Sequence, residues 1–319
     1  MKGFSTPKRN ATGFSHSKLI LTGEHAVVYG NPAIALPFPL KVEAIIEEIP
    51  NGIVVESTVY SGPLEQIPPK LEGIKACIHQ VLTYLKRPCG RLKITIHSEI
   101  PIGRGLGSSA AIAVAIVRGL FSYFETKLPD DTLSTFVHTA EVYSHGNPSG
   151  IDMATAMSNT PILFHKGEEI VRLEVARPLH FVIADSGKIG DTQKTVSRVR
   201  ELYSKDEFRM EESLRRMKEI TFSAKYAMAN GDLKELGKLL NENHSELIQI
   251  GVSDDRINQL VTTANTAGAL GAKLTGGGDG GCMLALADSK EKRDEISSAL
   301  SSAGARTTWS FTIEPQEVF

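Results

Sequence analysis

The chain has 319 residues with 41% hydrophobic and 23% charged side chains, an ordinary globular composition long enough for about two domains. Its formal net charge is −2 with both signs interspersed, so it has neither a basic stripe for a nucleic-acid backbone nor an acidic tail. Three widely spaced cysteines (Cys77, Cys89, Cys282) make no Cys-x-x-Cys pair, which excludes a disulfide framework and favours reduced thiols in a cytoplasm.

The basic start MKGFSTPKRN leads into no apolar stretch, so no signal peptide is expected. The most apolar run, Ala110 to Val117, is far shorter than the roughly 20 residues of a membrane span. In chain order, Lys18–Thr22 reads as a strand ending at Gly23, and Lys41–Glu48 alternates as another. Apolar spacing from Leu71 to Leu85 predicts a helix over 70–86. Arg91–His97 alternates with period two, as a strand does. A Gly-rich turn follows, then a helix over Ser108–Tyr123 and another over Asp131–Ser144, broken at Gly146-Asn-Pro-Ser-Gly150. The second half opens with a strand at His180–Ala184 and continues with helices over 206–229, 232–250 (Asp232 as its cap) and 254–267. Strands at Ala272–Thr275, Cys282–Ala287 and Thr307–Ile313 then surround a helix near 289–303. Strands and helices mix throughout, so the class is α+β or α/β, with two domains expected over 1–176 and 177–319.

Pro101-Ile-Gly103-Arg104-Gly105-Leu106-Gly107-Ser108-Ser109-Ala110 is the most informative stretch of the first half. Glycines adopt positive φ without strain and let backbone approach an anion. The helix behind them offers unpaired N–H groups and the positive end of its dipole. Ser108 and Ser109 can cap that helix or give a hydroxyl to a metal. The run has no Gly-Lys-Ser/Thr, so it is not a Walker A loop, and Ser108 stands where a dinucleotide fingerprint needs its third glycine.

Glu141 and Asp152 bracket the break at 146–150. Glu141 lies four residues after Val137, at the edge of an apolar helix face, where a carboxylate is partly buried and needs a partner or a metal. One carboxylate for Mg²⁺ and one to receive a hydroxyl proton is what phosphoryl transfer requires. Lys18, Glu24 and His25 cluster around Gly23. Lys18 could stabilise developing negative charge, His25 could bind a polar substrate, and Glu24 could orient either. Finally, Gly276, Gly277 and Gly278 begin a run with five glycines in six residues, which calls for close approach to a ligand or another backbone.

Three blocks, Lys18-Leu-Ile-Leu-Thr-Gly-Glu-His-Ala-Val-Val-Tyr-Gly30, Pro101–Ala110 and Lys273–Cys282, resemble those of the GHMP kinases in the same order. GEHAVVYG with NPAIA, and Gly146–Asp152, are most similar to the mevalonate kinase branch of that family. The resemblance implies an α+β fold of two domains, an N-terminal ribosomal-protein-S5-like domain and a C-terminal ferredoxin-like one. It implies ATP and Mg²⁺ as cofactors and mevalonate as the small-molecule acceptor, and leaves a homodimer open. By the same resemblance Asp152 is the catalytic base and Lys18 polarises the substrate hydroxyl. Glu141 and Ser109 hold Mg²⁺, residues 101–110 cradle the triphosphate, and Glu24 and His25 lie near mevalonate. Other activities of the same family, such as phosphomevalonate kinase or diphosphomevalonate decarboxylase, are the first alternative. A non-catalytic ligand-sensing relative is the second, although such a protein should have lost Lys18, Asp152 or the metal ligands. One position departs from the family: Asp279 stands where a glycine or a basic residue is common. A carboxylate there repels phosphate unless it faces away or meets a cation.

Overall fold

The computed structural model describes residues 10–87, 90–145 and 148–315. Part of the basic N-terminus, Cys89, and Gly146 and Asn147 of the expected break lie outside them. The chain runs β1 (Asn10–Thr22), β2 (Ala33–Glu48), β3 (Ile53–Glu56), β4 (Ser61–Pro63), α1 (Glu72–Tyr84), β5 (Leu92–Ser98), α2 (Ser108–Tyr123), α3 (Asp130–His145) and α4 (Ile151–Met157). It continues through β6 (Ile162–Phe164), β7 (Val171–Arg172), β8 (Leu179–Asp185), α5 (Thr192–Lys205), α6 (Glu207–Asn230), α7 (Leu233–Gln249), α8 (Asp255–Thr266), β9 (Gly271–Thr275), β10 (Cys282–Ala287), α9 (Lys290–Ser302) and β11 (Thr307–Ile313). None of the described helices is long and apolar enough to cross a membrane.

Packing groups the residues into two compact units that interleave along the sequence. Of the described residues, one unit holds those within 10–17, 39–101 and 107–157, and the other those within 18–38, 102–106 and 158–315. A single cut near residue 176 would place 18–38, 102–106 and 158–176 before the boundary, whereas they pack with the second unit; β1 and β2 are long, and the unit boundary falls within each of them.

In the first unit the strands run β4-β3-β5-β2, with β1 also paired to β2. β3 and β5 are parallel, while β2 and β5 are antiparallel with Val42 opposite Ser98. Helices α1, α3 and α4 all pack on α2. That helix is buried on most of its surface, and among its buried residues Ala110, Ala111, Ala113, Ala115 and Gly119 are small enough to let backbones come close. At Gly13 the approach is extreme: a Cβ there would lie 2.1 Å from the Ala115 carbonyl oxygen. Cys77 is buried in α1, and desolvation pushes its thiol up to about 12.

In the second unit β8, β9, β10 and β11 form an antiparallel sheet in the order β11-β8-β10-β9. β8, β9 and β10 are buried along their whole length, so their sequences run mostly apolar rather than alternating, with His180, Asp185, Lys273 and Thr275 as polar exceptions. Val182, Ala184, Leu274, Met283 and Ala285 meet Leu260, Ile296 and Leu300 of α8 and α9 in one core. Aspartates at 191, 206, 232 and 254 and Ser289 each accept a backbone N–H three residues on, which fixes where α5 to α9 begin. In this unit Ala33–Ala35 of β2 also pair with β6, and β6 with β7.

Candidate active site

The Gly-rich turn has the backbone its composition calls for. Gly103, Gly105 and Gly107 all lie near φ +70°, a left-handed region that a side chain makes costly. Gly107 is the cap residue of α2 and has no side chain to accept the first-turn N–H groups. A turn of this kind opening a four-turn helix aims N–H dipoles at whatever anion occupies it.

Residues 102–106 of that turn are seated within the second unit. Arg104 is buried and donates Nε to Oδ2 of Asp185 at 2.7 Å. The other carboxylate oxygen of Asp185 accepts the Gly187 N–H at 2.8 Å, and Gly190 N–H donates to the Gly103 carbonyl at 3.1 Å. The guanidinium therefore holds the turn to the end of β8, leaving the backbone to meet an anion. The third glycine loop lies against the same turn, since a Cβ on Gly276 would stand 2.9 Å from the Gly105 carbonyl oxygen. Gly278 is equally constrained, with the Val252 carbonyl oxygen 2.1 Å from where its Cβ would be. Gly277 packs on the Thr192 side chain at the start of α5.

Asp279, in the same loop, meets cations. Lys188 Nζ donates to its Oδ1 at 2.6 Å and to Asp254 Oδ2 at 3.0 Å, and Arg198 approaches Oδ2 at 3.6 Å. The hydrogen bond from Lys188 holds the Asp279 carboxyl below the usual carboxylate range. Its negative charge is thus offset within the protein, the condition the sequence posed for a carboxylate near phosphates.

Lys18, in the second half of β1, is buried, and its backbone N–H donates to the Leu106 carbonyl of the Gly-rich turn at 3.3 Å. Glu24 is wholly buried and forms an ion pair with Lys273 of β9, also wholly buried. Asn243 of α7 donates to Glu24 Oε2 at 3.4 Å. Burial pushes the Glu24 carboxyl up and the Lys273 ammonium down, and each partner pulls the other back toward its charged form. His25 has φ +59°, and its Nε2 lies 2.9 Å from the Gly277 carbonyl oxygen. Desolvation lowers its pKa to about 4, so the ring is neutral at ordinary pH and donates this bond.

Ser108, Ser109, Ala110, Glu141 and Asp152 belong to the first unit. α2 and α3 are joined by the short segment 124–129 and pack as a helical hairpin. Phe121 and Phe136 meet near its closed end with ring centroids 6.0 Å apart. The start of α2, with Ser109, and the last turns of α3, with Glu141, therefore share the open end. Glu141 is buried there, more fully than the partial burial expected from its place at the edge of the apolar face. Asp152 is in the first turn of α4, which packs on both α2 and α3, and α4 is tied to β1 by the Ser15 hydroxyl on the Ala156 carbonyl at 3.3 Å. Among the described residues no three or more of His, Cys, Asp and Glu cluster as a ready-made metal cage.

Lys273, Asp185 and Lys188 are structural partners that the sequence reading leaves unassigned. The first two carry a usable signal. Lys273 sits between Ala272 and Leu274 in an apolar strand, and Asp185 ends one, so each had to be paired. Only the identity of the partner was missing.

Two family models match the chain: the GHMP kinase N-terminal domain over residues 73–160 and the GHMP kinase C-terminal domain over 224–306. A mevalonate kinase of Pyrococcus abyssi is 35% identical over 313 residues, covering 90% of this chain and 91% of its own. One of Aeropyrum pernix is 30% identical and covers 96% of both chains. The crystal structure of L. major mevalonate kinase in complex with R-mevalonate superposes with a TM-score of 0.86 at 30% identity over the whole of both chains. Family models at both ends and relatives alike over nine-tenths of the length leave one assignment: the chain belongs to the GHMP kinase family.

Proposed function

We propose that this chain is an ATP-dependent mevalonate kinase, transferring the γ-phosphoryl group of ATP to the C5 hydroxyl of (R)-mevalonate to give 5-phosphomevalonate and ADP. The observation that carries the reading is the positive-φ glycine turn opening α2, in a chain whose relatives of matching length are mevalonate kinases.

In this reading the backbone of residues 101–110 binds the triphosphate. Asp152 takes the proton of the attacking hydroxyl, and Lys18 offsets the charge that builds on that oxygen. Glu24 and His25 belong to the mevalonate side, with Glu24 acting from within the fold because its carboxylate is buried on Lys273. Gly276, Gly277 and Gly278 form the wall against the phosphate turn.

The donor set fits Mg²⁺, which takes one or two protein oxygens and fills its remaining positions with water and phosphate. Glu141 supplies a buried carboxylate and Ser109 a hydroxyl at the open end of one helical hairpin, and these two would hold the ion. Bound there, Mg²⁺ neutralises phosphate charge. By the same resemblance the enzyme works in the cytoplasm. Whether it does so as a homodimer is decided by sedimentation.

The test is ADP release measured with mevalonate, phosphomevalonate, homoserine and galactose in turn. Turnover with mevalonate above all others is expected. Preference for phosphomevalonate, or release of CO₂, would assign a different activity of the family, and no turnover with any acceptor would leave a ligand-binding role.

A further inference from the structure

Within the second unit, the segment Lys18–His25 is held at more points than its length requires. Side chains two apart on a strand share a face, so Lys273 and Thr275 of β9 point the same way. Thr275 Oγ1 accepts the Ile20 N–H at 3.1 Å and donates to the Ile20 carbonyl at 3.0 Å. Four residues along, Lys273 grips Glu24, and it also donates to the Leu274 carbonyl at 2.6 Å. Between and beyond these anchors the backbone takes left-handed conformations, Gly23 at φ +91° and His25 at φ +59°. A histidine keeps such a conformation only where its surroundings over-determine it. The His25 side chain is then tied to Gly277, two residues past Thr275.

Stability alone accounts poorly for the Lys273–Glu24 pair. Wholly buried ion pairs are often no better for stability than well-packed apolar groups of the same size. Its geometry serves a different end, because it fixes the one turn that separates Lys18 from His25. We propose that Lys273 and Thr275 are positioning residues: acting through Glu24 and Ile20, they set Lys18 and His25 for the acceptor substrate. This rests on the roles given above to Lys18 and His25.

The pair is removed in two ways. Lys273→Met strands the Glu24 carboxylate, and a fall in melting temperature of roughly 10 °C is expected. Glu24→Met combined with Lys273→Met removes both charges and should recover most of that loss. A purely structural pair predicts that kinetics recover with stability. A positioning pair predicts that the double variant keeps an acceptor KM about tenfold above wild type, with the KM for ATP within about twofold. Wild-type acceptor KM and kcat in a double variant of wild-type stability overturn the proposal. Should the double variant stay unstable, the same constants are measured for Lys273→Met and Thr275→Val ten degrees below their own midpoints, and an unchanged acceptor KM in both overturns it equally. The wild-type enzyme is run on the acceptor panel alongside. Absence of wild-type turnover removes the functional reading, whereas an active wild type with unperturbed variants removes only the positioning role.

Discussion

Arg104 and Asp185 lock the Gly-rich turn to the end of β8 through a 2.7 Å hydrogen bond between side chains that are 4% and 3% exposed. Asp185 also takes the Gly187 N–H, so one carboxylate organises two loops. Asp185→Ala leaves a buried guanidinium unpaired, which costs on the order of 3–5 kcal/mol. Chemical denaturation should show that loss. At a temperature where the variant remains folded, the KM for ATP should rise more than the KM for the acceptor.

Asp279 holds φ +52°, a conformation that costs a residue with a side chain on the order of 1–2 kcal/mol, though less for Asp than for most. Its pairing with Lys188 and Arg198 is partly exposed and returns about 1 kcal/mol or less. These effects nearly cancel, so Asp279→Gly should change stability by under about 1 kcal/mol. Asp279→Ala loses the pairing and keeps the strain, and should be less stable than the glycine variant at low salt. Denaturant midpoints of the two variants side by side check the ranking.

Much of the fold was legible because its periodic elements are long. The helices expected over 206–229, 232–250 and 254–267 correspond to α6, α7 and α8 within a few residues, and Asp232 caps α7 by accepting the Glu235 N–H. What the pattern hid has physical reasons. The whole of β2 was not visible because Pro37 and Pro39 interrupt it, and these fall between the stretches paired to β6 and β5. α5 was overlooked because its apolar stripe, Val196, Val199, Leu202 and Tyr203, is narrow and set among polar and charged residues. Of the candidate site, glycines and acids stood out by residue type. The Lys273–Glu24 and Arg104–Asp185 pairs join residues 249 and 81 positions apart, a pairing no local pattern encodes.

His25 and His244 give the second unit a defined acid limit. Burial lowers both to about 4, with the nearby Lys273 ammonium adding to the effect at each. The unfolded chain titrates them near 6.5, so between about pH 6.5 and 4 the unfolded state binds more protons and stability falls as pH drops. Their contribution is complete above about pH 6.5. A melting temperature level from pH 7 to 8 and falling between 6.5 and 4 is expected. His244→Gln, which cannot be protonated, should flatten part of that slope.

If Glu141 and Ser109 hold the metal, weakening either should be partly overcome by more metal. Glu141→Gln keeps the size of the side chain and removes its charge, so the Mg²⁺ concentration giving half-maximal rate should rise about tenfold or more. Ser109→Ala loses a neutral oxygen and should shift it less. A titration of rate against Mg²⁺ at saturating ATP reads both, and an unchanged requirement in both variants removes the assignment.

Asp152 stands apart from these, because its proposed role is exerted only as the hydroxyl proton leaves. A group that acts in the transition state changes kcat and leaves ground-state binding alone. Asp152→Ala should therefore lower kcat by about 10² to 10⁴-fold with both KM values nearly constant. Asp152 lies in the first turn of α4 and is partly exposed, and the melting temperature of each variant is measured alongside, so that a loss of rate is separated from a loss of fold. Asp152→Asn keeps the shape but cannot take a proton at all, and should be as slow as the alanine variant. A base makes that equality necessary, whereas a residue that merely orients the acceptor would let asparagine recover much of the rate. Comparing the two kcat values therefore separates proton acceptance from simple placement.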